Sequence, residues 1–131
     1  MIGSMQEFRA TLHSFGSFLD MLEALRLQAE ELQSLELFAH LVKGTIAILE
    51  ERAVDLRSCL QNPPSFLATS PKLHSDLRFF ICLSDALLAA YRWSVEREQF
   101  PLFSQSATGL ILNLRAVVAE MHDLFPQQEA A

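Results

Sequence analysis

The positions of the prolines constrain the fold of this chain more than any other feature. No proline occurs in the first 62 residues, and the five in the sequence are Pro63, Pro64, Pro71, Pro101 and Pro126. A proline inside a helix removes a backbone hydrogen bond and clashes with the preceding turn. The prolines leave three long stretches, before Pro63, between Pro71 and Pro101 and between Pro101 and Pro126, that are each long enough for a helix of about six turns or more.

Before the first proline, apolar residues recur every three or four positions, which is typical of amphipathic helices. We predict a short leading helix, an interruption at Gly16-Ser17 and then a longer helix, because Ser17 with Asp20 has the pattern of a capping box. Ser34, with Glu36 close behind it, predicts the start of the next helix. The apolar series of the first segment is Phe8, Leu12, Phe15, Phe18, Leu22, Leu25, Ala29 and Leu32.

The next helix is predicted from about Leu35 to Leu60, where Asn62-Pro63-Pro64 ends it, and a loop is predicted from there to Ser70. Its core stripe is Leu35, Phe38, Val42, Leu49, Ala53, Leu56 and Leu60.

Ser70-Pro71 predicts the start of a further helix over about 71–98, since serine is a good cap and proline fits the first helical position. This helix is apolar on two faces and is predicted to be the most central. One stripe is Leu73, Leu77, Phe80, Leu87 and Tyr91, and the other is Phe79, Cys82, Ala86, Ala90 and Trp93. After Pro101 a last helix is predicted from Ser104 or Ser106 to Pro126.

No alternating strand pattern or repeat is present, so the predicted fold is all-α. The default arrangement is an antiparallel four-helix bundle with a short extra N-terminal helix. We expect one domain over 1–131, with residues 1–4 as a candidate vector-derived addition and 126–131 as a frayed tail.

The charge and cysteine content exclude several classes of function. A net charge of −6 without a Lys/Arg cluster argues against nucleic-acid binding. The longest apolar run is shorter than a membrane span and the first residues lack a secretory signal, so we expect a cytoplasmic protein. Cys59 and Cys82 have no metal-ligand spacing and are predicted to be buried free thiols.

The segment Phe38–Thr45 contains the residue types that indicate chemistry. Helical spacing places His40 opposite the core stripe, with Lys43 and Gly44 on the same exposed surface and with Ala47 and Glu51 beyond them. A glycine inside a helix costs about 1 kcal/mol relative to alanine. We therefore expect that Gly44 has a role that offsets this loss of helix stability.

A second apolar strip, formed by Leu37, Leu41 and Ile48, runs beside this surface. The core stripe does not need these side chains, so we expect them to contact something else. Three alternatives remain open from the residues alone: the leading helix, a homodimer, or another protein that docks here.

Ala39-His40-Leu41-Val42-Lys43-Gly44 resembles the A-H-x-x-K-G motif of histidine-containing phosphotransfer (HPt) domains, which are helical bundles of about this size. The sequence agrees closely with the family over the motif and more weakly over residues 18–61 or so. The rest of the chain resembles the family only in its predicted architecture. The chain departs from the family at four positions. The family prefers leucine at Val42, small residues at Thr45 and Ile46, and commonly glycine at Glu50.

The resemblance implies that His40 accepts a phosphoryl group from a receiver-domain aspartate and passes it to another. Lys43 would stabilise the phosphoryl charge and Gly44 would give steric access. The implied partners are receiver domains of response regulators or hybrid histidine kinases, which supply the Mg²⁺. The chain would be a covalent carrier without turnover of its own, with a monomer favoured and a homodimer as the alternative. The implied docking residues are Leu37, Leu41, Ala47, Ile48 and Glu51.

The alternative function is an acidic helical interaction module, such as an adaptor, a secretion chaperone or an immunity protein, in which His40 is incidental. Surface or interhelix roles are expected for His13, His74 and His122, because they have no ligand spacing. The exposure of His40 is the first observation to make, since a buried His40 would exclude the carrier function.

Overall fold

The computed structural model describes residues 2–125, apart from the side chain of Leu35, and every regular element in that range is a helix. The helices are α1 (Met5–Leu32), α2 (Leu35–Gln61), α3 (Ser65–Ala68), α4 (Pro71–Glu96) and α5 (Phe100–Asp123). The all-α prediction is confirmed. The predicted frayed tail at 126–131 lies outside the described residues.

Two of the predicted helix starts are confirmed by capping hydrogen bonds. The Ser34 hydroxyl accepts from the backbone N–H of Leu37 at 3.0 Å, and the Ser70 hydroxyl accepts from that of Leu73 at 3.3 Å. Each bond satisfies one of the donors that a helix leaves unpaired in its first turn. The start of α2 at Leu35 is thereby fixed five residues before His40.

The predicted interruption at Gly16-Ser17 is wrong, because α1 is continuous over 28 residues. Phe15 and Leu19 are both buried on either side of the predicted break, so one apolar stripe holds the helix together despite the cost of a glycine. The short extra helix is consequently not N-terminal. It is α3, within the predicted loop, where Leu67 is buried.

The predicted start of the last helix is also wrong. Helix α5 begins at Phe100, and Pro101 lies in its first turn rather than ending the previous helix. A first-turn proline is tolerated because its missing N–H would have no partner there. The earlier start buries Phe100 and Phe103 in the core and places Ser104 within α5, where it is buried as well.

The four long helices contact one another in a closed sequence. Helix α1 contacts α2 and α5, α4 also contacts α2 and α5, and α3 lies against α4. The predicted stripe of α2 supplies the core, since Phe38, Val42, Leu49 and Leu56 are inaccessible to solvent and Ala53 is nearly so. Leu60 is half-buried.

The second apolar stripe predicted on α4 is exposed. Helix α4 is therefore not covered by other helices on two faces, as the prediction of a central helix required. Phe79 is 54% exposed and Trp93 is 41% exposed. Ala86 is exposed too, and Ala90 is half-buried. Cys59 is buried as predicted, but Cys82 is exposed, contrary to the prediction. The reason is that α4 packs on its neighbours through the opposite side, where Ile81 and Leu88 are buried together with most of the first stripe.

Among the described residues, α5 is the one helix long and apolar enough to cross a membrane by length and composition, and a third of its most apolar window is buried. Such a segment was not predicted from the sequence because polar and charged residues interrupt the apolar residues of α5. Core helices of soluble proteins have the same length and hydropathy.

Candidate functional site

His40 lies on the outer side of α2 and is exposed. Phe38 and Val42, two residues before and after it, are fully buried, so the helix is held to the core immediately beside the histidine. The predicted exposure of His40 is therefore confirmed. Its imidazole is presented from a helix and not from a loop.

Lys43 and Gly44, one turn further along α2, are exposed next to His40. Within the part of the chain that the structure describes, no ion pair involves Lys43. A Cβ placed on Gly44 would meet no atom within 4 Å. Internal packing therefore does not require a glycine at this position, and the space above it is open.

The apolar strip of Leu37, Leu41 and Ile48 lies on the side of α2 that is directed to α1. Two residues of the same helix side bind α1: Thr45 Oγ1 donates to Met21 Sδ at 3.4 Å, and Arg52 Nε donates to Ser14 Oγ at 3.1 Å. Leu37 and Ile48 are half-buried, whereas Leu41 is 39% exposed. The strip thus borders the surface around His40 and remains partly accessible.

The other predicted docking residues, Ala47 and Glu51, are exposed beyond Gly44. The structure adds Val54, which is 66% exposed one turn past Glu51. Spacing alone could have found it, because positions 40, 44, 47, 51 and 54 follow one helix face. His40, Lys43, Gly44, Ala47, Glu51 and Val54 are called the His40 face from here on.

Met21 is a further neighbour that the sequence analysis did not identify. It belongs to α1, is 48% exposed and accepts the Thr45 hydrogen bond. No local pattern connects residues 21 and 45, so only the pairing of α1 with α2 could reveal it. Met21 thus places a flexible apolar side chain beside Thr45, next to the strip of Leu37, Leu41 and Ile48.

The positions at which the motif departs from the HPt pattern have structural roles here. Ile46 and Thr45 are buried, Ile46 as part of the apolar core. Glu50 forms an ion pair with Arg92 of α4 at 3.3 Å. These side chains are directed away from the His40 face, so they affect the packing of α2 on its neighbours more than the surface around His40.

Two clefts of the described chain lie away from His40. One, of about 620 Å³, runs between α1 and α5 and includes His13 and His122. Another, of about 580 Å³, is lined by residues that include Glu30, Glu98 and Ser104. Among residues 2–125 no group of three or more His, Cys, Asp or Glu side chains is placed to hold a metal ion. No residue of the His40 face lines either of these two clefts.

The cleft between α1 and α5 contains a histidine with a perturbed pKa. Burial lowers the pKa of His122 below its ordinary value, and the positive charge of Arg9 and the neighbouring His13 lower it further, against a smaller opposing effect of Asp123. The His122 ring meets Phe125 edge-on, with the ring centres 5.2 Å apart. His122 is therefore favoured in its neutral form in the folded chain.

Comparisons of the chain with protein-family models, with curated proteins and with solved structures find no match.

Proposed function

We propose that this chain is a histidine phosphotransfer protein of a two-component phosphorelay, and that His40 carries the phosphoryl group between receiver-domain aspartates. The observation that supports it most is the surface formed by the motif residues: an exposed His40, an exposed Lys43 without an ion pair among residues 2–125, and open space above Gly44. A residue set chosen only for helix packing would not favour glycine there.

The proposed fold is an antiparallel four-helix bundle formed by α1, α2, α4 and α5, with α3 in the longest link. Two facts support it. Each long helix contacts two others in a closed sequence, and the links α1–α2 and α4–α5 are only a few residues long. Short links favour antiparallel neighbours. In this arrangement the His40 face is the outer side of one wall of the bundle.

In the proposed reaction, the ring nitrogen of His40 that lacks a hydrogen attacks the phosphorus of an aspartyl phosphate. A nitrogen–phosphorus bond forms, the bond between phosphorus and the aspartate oxygen breaks, and aspartate leaves as a carboxylate. The second ring nitrogen keeps its proton. Transfer to the next receiver is the same step in reverse, with a second aspartate carboxylate as the nucleophile.

Phosphoryl transfer depends mainly on alignment and charge neutralisation, because its transition state is loose. Lys43 would place an ammonium near the phosphoryl oxygens, and Gly44 would let the active site of the receiver approach His40 closely. Leu37, Leu41, Ala47, Ile48 and Glu51 would contact the receiver around the histidine. The Mg²⁺ would be held by the receiver. We further propose a cytoplasmic location and no turnover without a partner.

Labelling with phosphate tests the proposal. The purified chain is incubated with a receiver domain of its source organism that carries labelled aspartyl phosphate, and the product is treated with acid and with base. We expect acid-labile, base-stable label on the wild type and none on His40→Gln. Lys43→Ala should be labelled more slowly while circular dichroism shows an unchanged fold.

Matched controls are available in the other histidines. His74→Gln changes a half-buried histidine on α4 and should be labelled like the wild type. If the wild type stays unlabelled with every receiver of the organism, the carrier function is wrong and the non-catalytic interaction module takes its place. If label persists on His40→Gln, a different residue accepts it and the proposed site is wrong.

A further inference from the structure

The outer side of α4 carries an apolar surface that the proposed function does not use. Its residues are spaced by three and four, so they follow one helix face over four turns, and each of them is exposed. No charged residue lies within the series, and the Arg97 guanidinium stacks over the Trp93 ring at its end, 4.8 Å from the ring centre. This α4 strip consists of Phe79, Cys82, Ala86, Ala89 and Trp93.

The flanks of α4 are already occupied by neighbouring helices. Asp85 and Arg92 form ion pairs with Arg57 and Glu50 of α2, and Lys72 pairs with Glu120 of α5 at 2.9 Å. The buried residues Leu77 and Phe80 complete the contact with the core. The α4 strip is the side that remains, and it is directed away from the described helices.

We propose that the α4 strip binds a second copy of this chain, with the two α4 helices antiparallel and the two-fold axis at Ala86. The proposal uses neither His40 nor phosphotransfer. Phe79 and Trp93 are each seven positions from Ala86, so each aromatic side chain lies opposite the other type on the second copy. The same surface patch is thus complementary to itself, as a two-fold interface requires.

The sizes of the side chains fit this arrangement. Cys82, Ala86 and Ala89 are small and occupy the middle of the strip, so the two helix axes can come close together. Phe79 and Trp93 are large, half exposed, and located at its ends. Two pairs of aromatic rings would close the interface at both ends, and aromatic residues are enriched at such positions in protein interfaces.

The charges beside the strip support the antiparallel orientation. Arg78 and Glu96 are 18 positions apart, which is five helical turns, so they flank the strip on the same side. Neither forms an ion pair among residues 2–125. About 27 Å of helix separates them within one chain. Around a two-fold axis at Ala86, Arg78 of each copy lies opposite position 94 of the other, and Glu96 is two positions, or about 3 Å along the helix, further on. The long side chains of Arg78 and Glu96 can span this offset, which gives two ion pairs.

The size of the strip sets the expected affinity. It runs from Phe79 to Trp93, a length of about 21 Å along the helix. A single helix face of that length buries less than the roughly 800 Å² per partner of a standard interface. We therefore expect a weak dimer with a dissociation constant in the micromolar range, in exchange with the monomer.

Sedimentation of the full chain over concentrations from about 1 µM to about 1 mM tests the interface. We expect the weight-average mass of the wild type to rise from monomer to dimer. Phe79→Glu should remain a monomer throughout. The matched control is Leu112→Glu on α5, which places the same charge at a residue that is 67% exposed and should dimerise like the wild type. Circular dichroism verifies that both variants are folded.

Charge reversal tests the orientation. Arg78→Glu and Glu96→Arg should each weaken dimerisation by about tenfold, because each change converts both proposed ion pairs into like-charge contacts. The double variant restores opposite charges and should recover the wild-type dissociation constant. The 27 Å separation within one chain excludes an intramolecular explanation for such a rescue.

A wild-type chain that stays monomeric at about 1 mM would overturn the proposal and leave the strip to a different protein. A dimer that Phe79→Glu does not weaken would overturn it as well. A Phe79-dependent dimer without rescue in the double charge variant would overturn the antiparallel arrangement about Ala86.

Discussion

Three neighbouring residues of α2 illustrate how a helix can separate stability from chemistry. Phe38 and Val42 are inaccessible to solvent, whereas His40 between them is exposed. Helical geometry forces this alternation, since residues two apart lie on nearly opposite sides. The exposure of His40 was predictable from the sequence for that reason, but the open space above Gly44 was not, because it depends on where the other helices lie.

Gly44 provides the first residue-level prediction. Gly44→Ala should raise the free energy of unfolding by about 0.5–1 kcal/mol, because alanine favours a helix and the added Cβ meets no neighbour within 4 Å. Gly44→Leu should slow labelling of His40 by blocking the approach of a receiver. Urea denaturation and the labelling rate measure the two effects.

Gly109 is the matched control for Gly44, because it is also exposed within a helix and has no atom within 4 Å of an added Cβ. Gly109→Leu should leave the labelling rate unchanged. Equal rates for Gly44→Leu and the wild type would show that Gly44 has no role in access.

His122 leads to a prediction about pH. Its pKa is lowered in the folded chain, chiefly by burial, so between that pKa and about 6.5 the unfolded chain binds more protons than the folded one. Stability therefore rises with pH in this window and falls as the pH decreases from about 7 to 5. The melting temperature of His122→Gln should fall less over this range than that of the wild type.

His74→Gln is the control for the pH experiment, because His74 is half-buried on α4 without a neighbouring histidine cluster. It should retain the wild-type pH dependence. Two results would contradict the assignment to His122: a weaker pH dependence in His74→Gln, or a pH dependence in His122→Gln as strong as that of the wild type.

At the scale of the helices, the sequence predicted those ends that local side chains determine. Ser34 and Ser70 cap α2 and α4 with their own hydroxyls. It failed where tertiary packing decides: α1 continues through Gly16, and α5 starts at Phe100 because two phenylalanines become buried. The exposed face of α4 was misjudged for the same reason, since an apolar stripe does not reveal whether a neighbour covers it.

A buried arginine joins α1 to α5. Its position continues the three-and-four spacing of Leu22 and Ala29 on the buried side of α1, but that spacing does not reveal which groups a buried arginine would bind. Arg26 is 4% exposed, and its guanidinium donates to Glu23, to Glu30 and, at 2.6 Å, to Ser104 Oγ. Ser104 Oγ also donates to Glu30 at 2.6 Å. Ser104 therefore connects two helices instead of starting one.

Removing this arginine should destabilise the pairing of α1 with α5. Arg26→Ala is expected to lower the free energy of unfolding by about 2 kcal/mol, less than for a fully buried pair because Glu30 is half exposed. The comparison is Arg115→Ala, which breaks the exposed pair with Asp20 between the same helices and should cost less than about 1 kcal/mol. Similar losses for both in urea denaturation would contradict a special role of Arg26.

For the molecule as a whole, the contacts between long helices are apolar inside and charged at the rim. Exposed ion pairs connect α1 with α5, α2 with α4, and α4 with α5. Inside, the centre of the Phe38 ring lies 4.9 Å from the ring centre of Phe100, 5.2 Å from that of Phe103 and 6.0 Å from that of Tyr91. One side chain of α2 thus contacts both α4 and α5.

The core and the rim should therefore contribute very differently to stability. Phe38→Ala removes a fully buried ring from this aromatic cluster and is expected to lower the free energy of unfolding by about 3–5 kcal/mol. Arg92→Ala breaks the exposed ion pair between Arg92 of α4 and Glu50 of α2. It should lower the free energy of unfolding by less than about 1 kcal/mol. Urea denaturation at low and high salt measures both, and only the Arg92 difference should shrink at high salt. If Arg92→Ala proved as damaging as Phe38→Ala, the position of α2, and with it that of the His40 face, would depend on surface charges and not on the core.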